Sequence, residues 1–449
     1  MTSTNNIAVI SRRQFLAATG AVATLSLVGS TSAADDTSLP RFAVISDTHF
    51  ENNRLEGSRV KVPKALKNLL SKTPKVDAIF VVGDLTDNGT PEQYEQLVAT
   101  FNDKSNVPEG VAVYFMMGFG HDSNPGSDAN EIIDIDGQKA TAAHTNYLKF
   151  TKQPLHQYID IKGYPFITLS EGGDRQSPYN DEVKKFLAEK LADAAQKYPG
   201  KPIFVFMHIP PLDTCYGSLK HEGWGTGVFL SILNQYPQVV VFSGHSHFPI
   251  GDPRSIHQGK FTAVNDGSAT YSEVEADMLN IGVHPEKHSY VTEGLITAVL
   301  PNGNVEIERW DTYRNEEILP RWLVEAPFDG SNFTYKDRKD NTAPVFAEGA
   351  EPKVVVTETS YEVTFPQATD NEVVSRYRVE IFDGGHDVLR FSVFSQFYLN
   401  SEMPKELTVK FDKLPASELT GNELTAAVRA YDSYGNKTGR IWSKPFTAN

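Results

Sequence analysis

Four short apolar runs in this chain each stop abruptly at residues that bind metals. Residues 42–45 lead into Asp47-Thr48-His49, and 78–82 into Gly83-Asp84. Residues 203–207 lead into His208-Ile209-Pro210-Pro211, and 239–242 into Gly244-His245-Ser246-His247. Runs this short and this rich in Val, Ile and Phe read as buried strands. In open α/β architectures ligands gather at the carboxyl ends of strands. Four such ends carrying only carboxylate and imidazole predict one site. Those donors suit hard or borderline divalent ions such as Mn, Fe or Zn, and the set is large enough for two. A metal-assisted hydrolase is the class this pattern points to.

A chain of 449 residues exceeds one ordinary core, and 40% hydrophobic with 22% charged residues is a globular composition. The formal charge of −15 speaks against a protein that coats duplex nucleic acid, which needs a basic surface. An anionic substrate then needs local positive charge, which bound metal supplies. Residues 1–34 read as a processing segment. Ser11-Arg12-Arg13-Gln14-Phe15-Leu16 precedes a mild apolar run at 17–28 and the small residues Ser32-Ala33-Ala34. This resembles a twin-arginine signal, which implies export to a periplasm or the cell exterior. No other run is long and apolar enough to span a bilayer. Cys215 is the only cysteine, so no internal disulfide forms.

From Arg41 to about Trp310 short strands alternate with helical periods. Thr90-Pro91-Glu92-Gln93 is a helix start, with Thr90 as cap and Gln93 reaching back. Asn180 opens another helix that Gly200 stops; 63–70 and 228–236 read as two more. Helices among so many strands predict an α/β fold, a two-sheet core with helices outside, over residues 35–320. Pro327, Gly330, Pro344, Gly349 and Pro352 punctuate a polar extension or linker at 321–351. Residues 352–449 show only strand alternation, as in Tyr361-Val363-Phe365 and Leu407-Val409-Phe411, the pattern of an all-β sandwich. The stretch Ala430-Tyr431-Asp432-Ser433-Tyr434-Gly435-Asn436 resembles the last hairpin of fibronectin type III-like domains.

Read in order, the blocks Asp47-Thr48-His49, Gly83-Asp84-Leu85-Thr86-Asp87, Gly118-Phe119-Gly120-His121-Asp122, His208 and Gly244-His245-Ser246-His247 resemble the calcineurin-like metallophosphoesterase family. The resemblance implies a four-layer αββα core and two divalent metal ions. Asp47, His49, Asp84 and His247 would hold one ion. Asp84, as the bridge, would hold the other with His208 and His245. A hydroxide between the ions would attack a phosphate mono- or diester. His121 would protonate or stabilise the leaving oxygen, Asp122 would orient His121, and Asp87 would support the first loop. Asp87 stands where purple acid phosphatases carry a ligating tyrosine, which speaks against the iron–tyrosinate subclass.

The chain departs from the family at one ligand. Aligned on His121-Asp122, the family's asparagine falls on Gly120, which has no donor; Asn124 is the substitute within reach along the chain. The departure keeps a rival open, a one-metal binding protein whose sandwich engages a surface glycan or a protein partner. The other histidines, His284 and His288 among them, lack a partner motif and are expected at the surface or in the core. The glycine-rich stretch 212–227, with Tyr216 and Trp224, shapes access to the site or simply connects.

Overall fold

Side-chain alternation in the four apolar runs decides the architecture. In the strand Arg41–Ile45, Phe42 and Val44 enter one apolar cluster while Ala43 and Ile45 enter another. Ala78–Val82, Ile203–Met207 and Val239–Ser243 divide in the same way. Such strands are buried on both faces and need cover on both. The computed structural model of the protein describes residues 38–51, 57–127, 131–135, 137–172, 179–276, 279–336, 340–415, 418–419 and 423–448. The twin-arginine segment and the boundary after residue 34 lie outside the described residues.

Two six-stranded sheets supply the cover. One runs Glu316–Val324, Val305–Asp311, Glu293–Val299, Arg41–Ile45, Ala78–Val82, Ala112–Met116. The other runs Ile256–Gln258, Thr262–Asn265, Val239–Ser243, Ile203–Met207, Tyr164–Leu169, His156–Ile161. The strands that carry the candidate ligands are parallel neighbours within each sheet, so their carboxyl ends open on the same edge. Between the sheets lies an aromatic interior. The Phe42 ring stands 4.9 to 5.9 Å from those of Phe80, Phe166, Phe204, Phe206 and Phe242, edge to face with each. The helices Ser58–Leu70 and Pro91–Asn102 pack on the outer face of the first sheet, and Asp181–Lys197 on that of the second. The result is the expected four-layer αββα core. Among the described residues no helix is long and apolar enough to cross a membrane.

The cap signals hold: Thr90 and Gln93 form a reciprocal capping box with Pro91 in the first turn, and Asn180 accepts from Val183 N at 3.1 Å. Other expectations shift. The helix expected at 63–70 begins at Ser58, because Val62 extends the buried face back past Pro63. The helix expected at 228–236 is one turn, Leu230–Leu233. Its end relies on i−3 bonds, Gln235 N to Ile232 O and Tyr236 N to Leu233 O, ahead of Pro237. The strand Glu316–Val324 runs through the point where the extension was expected to begin. Pro320 sits in it because this is an edge strand, where a missing N–H costs no ladder bond. Val324 and Phe328 then join the core between the sheets.

The C-terminal part is two packed sheets. One holds Lys353–Val356, Ser360–Pro366 and Glu406–Asp412. The other holds His386–Phe394, Val374–Asp383 and Glu423–Asp432, with the short strands Ile441–Trp442 and Phe446–Thr447 at its far side. Tyr361, Val363, Tyr377, Val379, Leu424 and Val428 fill the space between them. Thr37–Asn449 form one compact unit. Because Phe42 is the ring around which both sheets pack, Phe42→Ala should lower stability by about 3–5 kcal/mol, read as a lower urea midpoint at unchanged slope.

Candidate metal centre

Five of the residues singled out in the sequence have left-handed backbone: Asp47 (φ 54°), His49 (φ 40°), Asp84 (φ 45°), His245 (φ 69°) and His247 (φ 55°). Residues with a Cβ rarely adopt it, and it persists only where surrounding contacts over-determine it. Here they do. Asp47 N donates to Gly83 O at 3.0 Å and His49 N to Asp84 O at 2.9 Å, which zips the first two loops together. His245 N donates to Asp47 Oδ2 at 3.1 Å and stitches the second sheet to the first. Gly83 (φ 82°) and Gly244 are needed for the approach. A Cβ on Gly83 would strike the His208 ring, and one on Gly244 would strike Ser46 and Asp47.

The loops deliver two groups of donors around one carboxylate. His247 Nε2 lies 3.0 Å from Asp47 Oδ1 and 3.3 Å from His49 Nε2. His49 Nε2 is in turn 3.8 Å from Asp84 Oδ2. The other oxygen, Asp84 Oδ1, lies 3.2 Å from His208 Nε2, which faces His245 Nδ1 at 3.2 Å. Asp84 thus presents one oxygen to each group, as a bridging carboxylate must. All six predicted ligands meet here, in the sets Asp47, His49, His247 and Asp84, His208, His245, each with its donor atoms within 4.8 Å of one another.

The tautomers fit cations. His208 Nδ1 is 2.9 Å from the Val82 carbonyl and His247 Nδ1 is 3.2 Å from that of Tyr271. Carbonyls only accept, so both Nδ1 atoms carry hydrogen and both Nε2 atoms turn inward. Asp47 Oδ1 is enclosed, and the near nitrogen it faces is His247 Nε2. Convergent imidazole nitrogens and buried carboxylate oxygens suit two divalent ions.

Residues 40–249 match the family model of calcineurin-like phosphoesterases. They form a calcineurin-like phosphoesterase domain. A probable glycerophosphodiester phosphodiesterase of Arcobacter nitrofigilis is 25% identical over 215 residues, which is 45% of this chain and 70% of that protein. A 3',5'-cyclic-nucleotide phosphodiesterase of a Nostoc species is 26% identical over 219 residues, 46% of this chain and 70% of that one. Among solved structures, a purple acid phosphatase from yellow lupin seeds has a TM-score of 0.46 at 14% identity, over 68% of this chain and 57% of that chain. The phosphoesterase domain is that of a dinuclear metal-dependent phosphoric ester hydrolase.

Within it, charge is held by the pairs. Burial works to raise the Asp47 pKa, but the His247 imidazole overcomes it and holds the carboxyl at about 2. Burial opposes Asp84 too, and His208 outweighs it, leaving Asp84 well below the usual carboxylate range. Burial would likewise lower His208, but Asp84 drives it well up. Burial and the His208 charge push His245 down to about 3. Protons on His208 and His247 would leave as ions bind.

Two expected roles change. Asp122 does not orient His121. Its buried carboxylate accepts from Leu85 N (3.0 Å), Thr86 N (2.7 Å), Gly118 N (2.8 Å) and the Thr86 hydroxyl (2.9 Å). It pins the Asp84 loop to the turn Phe119–Asp122, while burial and Asp84 raise its own pKa to about 7. His121 is positioned by the Asp87 carbonyl, 3.0 Å from Nδ1, which leaves Nε2 3.9 Å from Asp84 Oδ2. Asp87 supports the first loop as well, its carboxylate 3.6 Å from His49 Nδ1. Asn124 does not reach in as a substitute ligand. Its Oδ1 accepts from Asn146 Nδ2 at 3.0 Å, and its backbone N–H goes to Ala143 O.

Sequence reasoning missed Ser46 and Asp266. The Ser46 hydroxyl bonds both Asp47 Oδ2 and Asp266 Oδ1. One hydroxyl has one proton, and burial raises the Asp266 pKa well above the carboxylate range. Burial thus favours a proton on the Asp266 side of this contact, and the Ser46 hydroxyl also lies 3.1 Å from Gly267 O. No motif marks Asp266, which lies some two hundred positions from Ser46. The stretch 212–227, which could have shaped access or simply connected, brings Trp224 against the His245 ring, edge-on at 5.2 Å.

Nothing stands within 4 Å of where a Gly120 Cβ would be, and its φ is not left-handed. Gly120→Asn should therefore fold normally. A metal titration of the variant should show the second equivalent of Mn bound at least about tenfold more tightly, the scale that partners of metal ligands already command.

Proposed function

We propose that this protein is an exported phosphodiesterase. The observation that carries the reading is the Asp84 carboxylate set between two imidazole groups, one oxygen toward His49 and the other toward His208. Two divalent ions held there would supply Lewis acidity and a nucleophile at neutral pH. The residues of the chain would do the rest. Asp47 is fixed by Ser46 and by His245 N. His121 is half exposed, and with Nδ1–H on the Asp87 carbonyl its Nε2 is turned toward Asp84, from where the imidazolium form would give its Nε2 proton to the leaving oxygen and the neutral form would accept one.

A diester is favoured over a monoester on two grounds. The relatives above are named as phosphodiesterases. A chain with a net charge of −15 opposes the approach of a dianionic monoester more than that of a monoanionic diester. The rival, a one-metal binding protein, rests on Gly120. The assembled trio of Asp84, His208 and His245 favours the hydrolase. Export rests on Arg12 and Arg13, and the C-terminal sandwich is read as fibronectin type III-like.

With Mn, Fe or Zn added, the protein should hydrolyse bis(p-nitrophenyl) phosphate faster than p-nitrophenyl phosphate. Asp84→Asn should lower kcat at least about a hundredfold and reduce bound metal; full activity in that variant would overturn the reading. Replacing Arg12 and Arg13 together by lysine should leave the chain in the cytoplasm on fractionation of the host cell.

A further inference from the structure

A row of rings leads outward from the metal centre on the His247 side. Tyr271 packs on the His247 ring at 4.2 Å between centroids and stands 5.8 Å from His49. His284 meets Tyr271 edge-on at 5.1 Å. His288 lies against His284 at 4.5 Å with planes 10° apart. The His284 side chain is 54% exposed. Neither histidine belongs to a donor cluster among the described residues. Glu273 Oε1 lies 3.3 Å from His284 Nε2, and the Pro285 carbonyl 3.1 Å from His288 Nδ1. A carboxylate at that point turns away a second anion, so the surface on offer is the face of a ring.

What holds this row is the C-terminal sandwich. Tyr398 and Leu399, from the short helix Phe397–Glu402, are buried against Val274 and Val291, which bracket the two histidines. The Tyr398 hydroxyl donates to Glu286 O at 3.2 Å, and Gln396 Nε2 to Glu286 Oε2 at 2.9 Å. Glu286 stands two positions from each histidine. Left-handed backbone occurs on both sides of the contact, at Lys287 (φ 61°), next to Glu286, and at Gln396 (φ 63°). Strain of this kind survives only where neighbouring contacts enforce it.

We propose that His284 and His288, held in place by Gln396 and Tyr398 of the sandwich, form the wall that receives a planar leaving group, aryl or heterocyclic; this rests on the phosphodiesterase reading above. A flat ring laid on His284 extends the stack at the spacing His288 already sets. The sandwich is then a positioning element of the active site, acting through Glu286, whose carbonyl Tyr398 holds and whose carboxylate Gln396 holds.

The test uses the full-length, manganese-loaded protein and two phosphonates that do not turn over. By calorimetry the wild type should bind phenylphosphonate about tenfold more tightly than methylphosphonate, the scale of one aromatic contact. His284→Ala should erase that preference. Gln396→Ala, and Tyr398→Phe, which keeps the packing, should reduce it while bound metal stays unchanged. In turnover the same variants should raise KM for bis(p-nitrophenyl) phosphate and spare KM for a dialkyl phosphate. Equal affinity for the two phosphonates in the wild type overturns the proposal. So does a preference that survives His284→Ala, or a Tyr398→Phe effect that falls equally on both ligands. A wild type that prefers the phenyl compound but hydrolyses no ester overturns the phosphodiesterase reading and leaves the wall standing.

Discussion

The Asp84 carboxylate, buried and shared between two imidazole groups, is the interaction around which the rest of the core is arranged. An ionised carboxylate removed from water is costly unless charge and hydrogen bonds answer it. One sheet supplies Asp84 and the other supplies His208, so the answer spans both sheets. That requires the sheets to meet at a fixed separation. The Phe42 ring and its aromatic neighbours set it, rings being stiff and large. Gly83 then lets the chain turn close enough for His208 to reach. The left-handed residues are the local cost of aiming side chains from strand ends at one point, offset by the bonds that zip the loops.

The clustering of the six candidate ligands was legible in the sequence because each sits just after a strand, and the parallel order of strands sends them to one edge. Roles that depend on loop geometry were less so. Asp122 was expected to face His121, its neighbour in sequence, but its carboxylate fills a nest of N–H groups from two loops. Asn124 looked close along the chain, yet Asn146 claims its oxygen. The strand Glu316–Val324 was hidden by Pro320, since edge position is a tertiary property. His284 and His288 carry no motif at all. They stand beside Tyr271 and flank Glu286, which meets Tyr398 more than a hundred positions later.

That contact also bears on the organisation of the chain. Beyond the apolar meeting of Tyr398 and Leu399 with Val274 and Val291, polar bonds tie the two parts. Ser433 donates to buried Asp252 at 2.8 Å, and Asn400 to Asp311 at 2.9 Å. Arg314 pairs with both Asp311 and Glu402 at 2.9 Å. Bonds to buried carboxylates are expensive to leave unmade, so separating the sandwich would expose Asp252 and Asp311 as well as the apolar seam. A tethered module with its own business needs none of this; a part that fixes the shape of its neighbour does.

The proton arrangement around Asp47 follows the same logic of compensation. Two carboxyls, Asp47 and Asp266, share the single hydroxyl of Ser46 in a buried place. Both cannot be ionised there without facing each other's charge across one oxygen. The His247 imidazole lies beside Asp47 and favours its charge, while burial pushes the Asp266 carboxyl up. The Ser46 contact bears on which Asp47 oxygen is satisfied. Oδ2 is taken by Ser46 and His245 N, and Oδ1 is left toward the imidazoles. A buried acid with no place among the candidate ligands thus bears, through Ser46, on which face of Asp47 is presented to the imidazoles.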